Sequence, residues 1–395
     1  MLFSILKKIK FKGKIDFIDY KGNKHSFGQA EPYSKVRFTN KSIERKLVRN
    51  PGLYLGEGYM NKEIVIEAGT IEDFINVITF SYDDYINHNS AFRMYKKILS
   101  FCKPFQQINR LVQSKNNVAH HYDLNEDLYR LMLDKDMQYS CAYFHNENIS
   151  LEQAQTDKKK HIIEKLQIKD HMEVLDIGCG WGGMAFEIAR QSQCEITGIS
   201  LSENQINYCN KKAKELKLDN QVHFELCDYR KVKGKFQKIV SVGAFEHFGK
   251  KFYKTFFQKV HDVLTDDGIS LLHTIGSVNP PGPVQPFIQK RIFPGGITPS
   301  LSDLVKPIEK TGLIIADCET LIHHYDKTLR AWLKRFLKNK EKAKSLHNRE
   351  FVRMWECYLS MCSAAFNFKD LVVYQLQLVK NFTALPSNRR NYIYQ

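Results

Sequence analysis

Residues 174–183 read VLDIGCGWGG, and their spacing is the strongest chemical signal in the chain. Asp176 is followed by glycines at every second position, Gly178, Gly180 and Gly182. Alternating glycines let a backbone turn tightly beside a ligand, between a β-rich run and a helical one. The spacing differs from GxGxxG, and no Gly-Lys-Ser/Thr follows, so a phosphate-binding loop is not indicated.

Without a lysine to meet phosphate, and with Asp176 in the turn, this loop suits a neutral or cationic ligand. S-adenosylmethionine is such a ligand because its α-ammonium and sulfonium groups are both positive. The simpler interpretation, a tight strand-to-helix turn with no ligand, is disfavoured by the regular elements on both sides. The loop therefore predicts an S-adenosylmethionine site.

The elements that would position this loop alternate between strand and helix from Asn116 onward. Strands are predicted over Glu173–Gly178, Cys194–Ser200, Val222–Leu226, Lys238–Val242 and Ile269–Thr274, and helices over Gly182–Gln191, Glu203–Leu216 and Lys251–Leu264. This alternation predicts an α/β fold with a doubly wound, Rossmann-like sheet. Ligands of such sheets lie at the carboxyl ends of strands, which makes candidates of residues 200–205, 228–230, 246–247 and 273–276.

The amino-terminal residues predict a second, smaller domain of α+β type over 1–90. Residues 91–115 are the predicted linker, and 116–395 the predicted catalytic domain. In the small domain we expect strands at Lys14–Tyr20, Ser26–Phe27 and Lys62–Glu67. We also expect two helices, Ser42–Arg49 ended by Asn50-Pro51 and Ile71–Phe80 capped by Thr70.

Charge and cysteine content limit the partners and the compartment. The chain has 59 Lys and Arg against 43 Asp and Glu, a formal net charge of +16, with 13 basic and 4 acidic residues in 1–50 and 8 and 2 in 330–350. Such an excess fits nucleic acid, a phospholipid surface or a small acidic substrate. No apolar run approaches the roughly 20 residues that span a bilayer, and nine cysteines without a CxxC pair predict reduced thiols in a cytoplasmic protein.

Several segments outside the glycine loop resemble the cyclopropane-fatty-acyl-phospholipid synthases and the related mycolic acid cyclopropane synthases. The resemblance runs from about Asn116 to Lys380, and residues 55–60 (LGEGYM) are similar to the amino-terminal domain of the longer, phospholipid-modifying members. It implies a class I S-adenosylmethionine-dependent methyltransferase domain. The segments that carry it are residues 119–124 (AHHYDL), 137–144 (MQYSCAYF), 243–249 (GAFEHFG), 272–276 (LHTIG) and 293–296 (FPGG).

The resemblance implies transfer of a methyl group to the cis double bond of an unsaturated phospholipid acyl chain, then proton loss that closes a cyclopropane. It also implies bicarbonate as the base, in a pocket of Cys141, Glu246, His273, Ile275 and Tyr325. Contacts to S-adenosylmethionine would come from Tyr139, Ser140, Asp176, Gly178, Cys179, Gly180, Trp181, Gly182, Ser200, Leu201, Ser202, Asn204, Gln205, Asp228, Tyr229 and Arg230.

An alkene that accepts a methyl cation becomes a carbocation, so the site must exclude water and favour positive charge. Aromatic faces do so by cation–π attraction, and the candidates are Tyr139, Tyr143, Phe144, Phe245 and Phe248. We hypothesise that Glu246 accepts a hydrogen bond from the bicarbonate hydroxyl while His273 and Tyr325 donate to its other oxygens. Cys141 is expected to contribute by packing and not as a thiolate.

A substrate inside a bilayer requires attachment to the membrane surface. Lys7, Lys8, Lys10, Lys12 and Lys14 alternate with apolar side chains, as in an interfacial segment, and Lys334–Lys344 is the second basic focus. We therefore expect peripheral binding to anionic phospholipids on the inner face of the cell membrane. The resemblance also allows a homodimer.

Two alternatives remain open from the sequence. The same fold and cofactor would serve an enzyme that forms a methyl-branched acyl chain or methylates a small amine, because amine-directed relatives keep a Glu–His pair. The basic charge alone would also fit a nucleic-acid-binding protein. No nucleic acid is expected as a partner, because zinc-finger spacing, an RNP signature and a basic zipper are absent from the sequence.

Overall fold

The computed structural model describes residues 1–88, 126–280, 282, 284–385 and 390–393. The predicted linker and the AHHYDL motif lie outside the described residues. By its internal contacts the chain divides into two units. Unit 1 comprises residues 1–106, 282–294 and 326–371, and unit 2 comprises residues 107–281, 295–325 and 372–395.

Helices and strands occupy most of the described chain. The first elements are α1 (Leu2–Leu6), β1 (Lys14–Ile18), β2 (Lys24–Phe27), β3 (Tyr33–Phe38), α2 (Lys41–Arg49), α3 (Pro51–Met60), β4 (Ile64–Ala68) and α4 (Ile71–His88). Those that follow are α5 (Glu126–Arg130), α6 (Leu151–Leu166), β5 (Glu173–Ile177), α7 (Gly183–Gln191), β6 (Glu195–Ser200), α8 (Glu203–Leu216), β7 (Val222–Leu226), β8 (Phe236–Val242), α9 (Tyr253–Val263) and β9 (Leu264–Ser277). The last are α10 (Pro286–Arg291), α11 (Leu301–Glu309), β10 (Ile314–Leu321), α12 (His324–Lys338), α13 (Lys340–Leu346), α14 (Arg349–Phe368) and β11 (Leu371–Val379).

Unit 1 contains a four-stranded sheet in the order β2-β1-β3-β4. Asn50 ends α2 as expected and also begins α3, because its side chain accepts a hydrogen bond from the Leu53 amide and Pro51 stands at the first helical position. The sequence did not predict α3 or β3. Thr70 and Asp73 form reciprocal hydrogen bonds at the start of α4, so the predicted cap is confirmed.

The amino-terminal segment does not present its apolar side chains in the way the sequence suggested. Leu6 is buried, and Leu2, Phe3, Ile9 and Phe11 pack against the core of unit 1. These residues stabilise the unit itself, whereas the lysines between them are exposed. Ile5 is the apolar side chain of residues 2–11 that stays exposed beside these lysines, so most of the expected apolar face is occupied within the unit.

Unit 2 contains a seven-stranded sheet in the order β10-β11-β9-β8-β5-β6-β7. Strands β5 to β9 pair in parallel, and β10 pairs antiparallel with β11. Val174 packs into one apolar cluster, while Leu175 and Ile177 pack into another on the opposite face. Burial on both faces is typical of a doubly wound sheet, and the predicted α/β class is confirmed.

Most element bounds agree with the sequence to within two residues, but some elements differ. β9 begins at Leu264 and ends at Ser277, longer than Ile269–Thr274, and α4 continues beyond Phe80 to His88. The sequence did not predict α6, three of whose lysines are buried. In the contact division, residues 282–294 and 326–371 group with the amino-terminal residues and not with the rest of the predicted catalytic domain. None of the described helices is long and apolar enough to cross a membrane.

Candidate active site

The glycine loop connects β5 to α7 through three residues in the left-handed region. Gly178, Gly180 and Gly182 have φ angles of 81°, 54° and 80°. A Cβ on Gly178 would stand 2.3 Å from the Cβ of Ala244, so the close approach of the segment after β8 also requires glycine there. Nothing lies within 4 Å of the corresponding position on Gly180, where open space and conformation together select glycine.

A cavity of about 120 Å³ opens at the carboxyl ends of β5, β6, β7 and β8. The chain order of the sheet reverses between β5 and β8, which is where such folds bind ligands. The predicted cofactor residues that line the cavity are Tyr139, Ser140, Asp176, Gly178, Cys179, Gly180, Trp181, Ser200, Leu201, Gln205, Asp228 and Tyr229. The structure therefore brings together twelve of the sixteen.

The other four predicted cofactor residues do not line this cavity in the described structure. Gly182 precedes α7, and the Ser202 hydroxyl accepts a hydrogen bond from the Gln205 amide at the start of α8. The Arg230 guanidinium donates to both carboxylate oxygens of Asp228, at 2.8 and 2.6 Å. Asn204 lies in a separate groove beside Tyr208. Gly182, Ser202 and Arg230 thus support neighbours that do line the cavity.

Asp176 is the most buried acid of the cavity wall, with 1% of its surface exposed. Its Oδ2 has no hydrogen-bond partner among the described residues. Burial raises the pKa of Asp176 to about 7, while the charge of Lys158 opposes that rise. An unpartnered buried carboxylate oxygen stabilises a cationic ligand, so this position fits S-adenosylmethionine.

The sequence missed how α6 supports the cavity wall. Gln155 Nε2 donates to the Ser140 carbonyl at 2.9 Å, and Lys158 Nζ donates to Ser140 Oγ at 3.0 Å and to Gln138 Oε1. Lys158 is wholly buried, and burial lowers its pKa to about 7.

Other residues that line the cavity are absent from the sixteen predicted cofactor contacts, although Phe248 was an aromatic candidate. Their positions beside strand ends, together with the MQYSCAYF motif, are the signals that could have found most of them. His247 follows β8, where the strand-end rule pointed, although a lone histidine is more often structural. The full list is Met137, Gln138, Met184, Ile177, Ile199, Cys227, Val242, Gly243, Ala244, His247 and Phe248.

Glu246 follows the end of β8, and His273 lies within the adjacent parallel strand β9, level with that end. Glu246 lies in a short 3-10 turn after β8, and its Oε1 accepts a hydrogen bond from the Ile275 amide at 2.6 Å. Its Oε2 has no partner among the described residues. Burial raises the pKa of Glu246, and the Ile275 hydrogen bond opposes the rise. The carboxyl group therefore offers one unused oxygen in a dry environment.

His273 lies on β9, opposite Val242 of β8, and only 2% of its surface is exposed. Its Nδ1 is 3.1 Å from Gln375 Nε2, and its Nε2 has no partner among the described residues. Burial, followed by the positive charges of Lys158 and Lys165, lowers its pKa well below the ordinary value. The ring is therefore neutral at pH 7.

The remaining members of the predicted base pocket have less distinctive contacts. Cys141 is buried, and its thiol donates to the Ala142 carbonyl at 3.3 Å. Ile275 and Tyr325 are half-buried. None of the five predicted residues lines the described cavity, and the Ile275–Glu246 hydrogen bond joins two of them.

The candidate aromatic residues lie in different surroundings. Tyr139 and Phe248 line the cavity. Phe245 is fully buried, with its ring 4.3 Å from that of Tyr253, so it is a core residue and not part of the cavity wall. Tyr143 stacks on His161 at 4.4 Å.

Comparison with known families agrees with this geometry. A family model described as mycolic acid cyclopropane synthetase matches residues 109–376, and one described as a domain of unknown function matches residues 2–90. The cyclopropane-fatty-acyl-phospholipid synthase of Escherichia coli K12 is 36% identical over 346 residues, which cover 86% of this chain and 86% of that protein.

Solved structures give the same result. The cyclopropane synthase MmaA2 from Mycobacterium tuberculosis is 32% identical with a TM-score of 0.64, covering 67% of this chain and 97% of that one. The mycolic acid cyclopropane synthase CmaA1 complexed with SAH and CTAB has the same identity, TM-score and coverage. The cavity at the sheet's switch point and these matches agree on one conclusion: the chain belongs to the mycolic acid cyclopropane synthetase family of S-adenosylmethionine-dependent methyltransferases.

Proposed function

We propose that this protein transfers the methyl group of S-adenosylmethionine to the cis double bond of unsaturated phospholipid acyl chains and closes a cyclopropane ring, with bicarbonate as the base. The observation that carries the proposal is a pair of buried atoms, Glu246 Oε2 just after β8 and His273 Nε2 on the adjacent strand β9. Neither atom has a partner among the described residues. Closure of a cyclopropane removes a proton from the methylated acyl chain, and this pair of polar atoms would hold the base for that step.

Bound S-adenosylmethionine supplies an electrophilic methyl group. Asp176 offers its unpartnered carboxylate oxygen to the positive charge, and the open side of Gly180 leaves room for the ligand beside the backbone. Ser140 and Gln138 are held in place by Lys158 and Gln155 of α6. These residues would bind and orient the cofactor, and the reaction requires its methyl carbon to approach the acyl double bond to about 3–3.5 Å.

The base pocket fits a small hydrogen-bonding anion such as bicarbonate, which would supply a weak base. An unpartnered buried polar atom costs about 1–3 kcal/mol, so two of them in one neighbourhood favour a ligand that satisfies both. Glu246 would accept a hydrogen bond through Oε2, and His273 and Tyr325 would donate. Cys141, Glu246 and His273 are all buried, so water is excluded from the carbocation that forms nearby.

Attachment to anionic phospholipid is the second part of the proposal. Residues of unit 1 include 31 Lys and Arg against 16 Asp and Glu, a formal net charge of +15. Lys334, Lys338 and Lys342 are exposed there, as are the lysines of residues 7–14. Each basic residue near an anionic surface contributes about 1 kcal/mol.

The test is lipid analysis of cells that express the protein. Extracted phospholipids should gain one methylene in mass on unsaturated chains, with an upfield cyclopropane methylene signal in proton NMR. In vitro, depletion of bicarbonate should lower turnover, and its return should restore it. Methyl-branched or alkene products, or methylated amines without modified lipids, would overturn the cyclopropane assignment.

A further inference from the structure

A chain of buried polar side chains leads from His273 away from the base pocket. Gln375 Nε2 lies 3.1 Å from His273 Nδ1, and Lys165 Nζ donates to Gln375 Oε1 at 2.7 Å. Lys165 also donates to Glu319, whose Oε2 is 2.7 Å from His161 Nε2. All five residues belong to unit 2. They lie on α6, β9, β10 and β11, and Lys165 and Gln375 have no exposed surface.

The direction of each hydrogen bond follows from the charged end of this chain. Burial acts to raise the pKa of Glu319, but the hydrogen bond from His161 and the charge of Lys165 lower it to about 2, so Glu319 is ionised. Burial lowers the pKa of Lys165, and the Glu319 carboxylate opposes that change. Lys165 Nζ contacts the Glu319 carboxylate and lies 3.9 Å from Asp317 Oδ2, so it stands in an ion pair as an ammonium group. An ammonium group has donors and no acceptor. The Gln375 atom that faces Lys165 is therefore the amide oxygen.

With its oxygen facing Lys165, Gln375 presents its amide nitrogen to His273 Nδ1. An amide nitrogen donates and does not accept, so Nδ1 must carry the lone pair. In a neutral imidazole the other nitrogen then holds the proton. His273 consequently has its N–H at Nε2, the atom that has no partner among the described residues.

We propose that Lys165 and Gln375 are positioning residues that set the tautomer of His273, so that its Nε2 is a hydrogen-bond donor in the base pocket. The functional importance of this tautomer rests on the proposed function, because a hydrogen-bond donor at Nε2 suits an anionic ligand. The tautomer also excludes one role for His273, that of the general base. A protonated Nε2 has no lone pair, so His273 holds the base and does not itself remove the proton.

Packing alone does not account for this arrangement. A buried ion pair is a weak stabiliser, since the loss of hydration offsets most of the attraction. Lys159 on the same helix shows the contrast. It is also buried, but it pairs with Asp136 at 2.6 Å and Glu187 at 2.9 Å, on a different side of the helix from the His273 chain. It provides a matched control for loss of a buried cation.

The decisive variant is Gln375→Glu, which keeps the shape and removes the donor. A carboxylate accepts from both Lys165 and His273, so the His273 proton should move to Nδ1. The measurement is nitrogen-15 NMR of the full chain labelled at histidine, with the His273 signals identified by their loss in His273→Gln. The wild-type ring should show an unprotonated Nδ1 and a protonated Nε2, and the variant should show a protonated Nδ1.

Turnover provides the second readout. For Gln375→Glu we expect kcat/KM for bicarbonate to fall at least about tenfold at pH 8, in the range of supporting-residue effects. Activity relative to wild type, at equal bicarbonate concentration, should recover as pH falls, because imidazolium regains an N–H at Nε2. Charged or titratable groups that act on His273 are Lys158, Lys165, His161 and Glu319, and they are retained in this variant.

Lys165→Met tests the other end of the pair, and Lys159→Met is its control. Lys165→Met should populate both tautomers of His273 and lower turnover. Lys159→Met should change neither the His273 tautomer nor turnover. The melting temperature of each variant shows whether it is folded, so that a change of the His273 tautomer is not confused with unfolding. If Gln375→Glu does not fold, the wild-type spectrum and Lys165→Met decide the inference.

A wild-type His273 with a protonated Nδ1, or a folded Gln375→Glu with an unchanged tautomer, would overturn the inference. Failure of the proposed function is distinguishable. The NMR measurement uses free protein, so a correct tautomer with no bicarbonate effect on turnover would reject the bicarbonate role and leave the tautomer assignment standing.

Discussion

The two units differ sharply in charge although they are similar in their content of lysine and arginine. Unit 1 has 31 basic and 16 acidic residues, whereas unit 2 has 28 and 27, a net charge of +1. The basic foci at residues 1–50 and 330–350 are far apart in sequence but fall in the same unit. Nearly the whole excess of +16 is therefore separate from the unit that holds the cavity. In the proposed reaction, the cationic cofactor and the carbocation would meet a unit with almost no net charge.

The same residue type has different physical roles in the two units. Lys334, Lys338 and Lys342 of unit 1 are exposed, and their charges attract anions through solvent. Lys158 and Lys165 of unit 2 are buried and hold neighbouring polar groups at fixed distances. Exposed charges are screened by salt within about 10 Å at 0.1 M, and buried ones much less. The contrast can be tested by treating each group separately.

The largest effect should follow from the acid–base residues of unit 2. Glu246→Gln and His273→Gln should each lower kcat by about 100-fold or more, because general acid–base groups contribute at least that much. Affinity for S-adenosylmethionine, measured by calorimetry, should stay within about twofold. His261→Gln, on α9 beside Asp262, is the control. Unchanged turnover in both variants would remove the base pocket from the mechanism.

Next in size is the loss of exposed lysines from unit 1. The triple variant Lys334→Ala, Lys338→Ala and Lys342→Ala should weaken binding to anionic vesicles roughly 100-fold, at about 1 kcal/mol for each lysine. Co-sedimentation measures it. The matched control in unit 2, Lys211→Ala, Lys214→Ala and Lys233→Ala, also removes three exposed lysines and should change binding little. If both triple variants lost vesicle binding equally, the exposed lysines of unit 1 would have no special role in binding.

Asp176→Asn should have an intermediate effect, and it should change only the affinity for S-adenosylmethionine. Loss of one charge-assisted contact predicts a Kd for S-adenosylmethionine about tenfold higher. Since the pKa of Asp176 in the free protein is about 7, the carboxylate predominates above pH 7 and the neutral acid below it. Wild-type Kd should therefore rise as pH falls from 8 to 6, and the Asn variant should be flatter. The exposed Asp219→Asn is the control, and a parallel rise in the Asp176 variant would contradict the assignment.

The smallest effect should be that of salt on cofactor binding. Raising the salt concentration from 0.1 to 0.5 M should change the Kd of S-adenosylmethionine less than about twofold, while vesicle binding falls more than about tenfold. Titrations of both ligands in the same buffers measure the difference. If cofactor affinity were as sensitive to salt as vesicle binding, the exposed charges of unit 1 would also contribute to cofactor binding.

The site could be predicted only as far as local sequence determines it. The glycine loop and the strand-end positions are local patterns, which is why Asp176, Gly178, Ser200 and Asp228 were found at the cavity. Lys158 was missed because nothing in residues 151–166 shows that a lysine of this polar helix is buried. The His273–Gln375 contact joins residues 102 positions apart, so it follows from sheet order and not from spacing.

Two other predictions differ from the structure for the same reason, because they were made from local sequence. They concern Phe245 and the apolar side chains of residues 2–11. Phe245 stands beside Glu246 in sequence, but the 3-10 turn directs the ring into the core while the carboxyl group reaches Ile275. The apolar side chains of residues 2–11 alternate with charge as an interfacial segment would. The burial of Leu6 and the packing of Leu2, Phe3, Ile9 and Phe11 against the core of unit 1 depend on tertiary contacts that no local pattern encodes.

Gln375 lies on β11, the last strand described, whereas the glycine loop follows β5 and His273 lies on β9. During synthesis, the residues that line the cavity therefore leave the ribosome well before the strand that orients His273. β11 lies between β10 and β9 in the sheet, so the contact between Gln375 and His273 forms only after almost the whole chain has been made. If Gln375 sets the His273 tautomer as proposed, that feature of the site is the last to be completed.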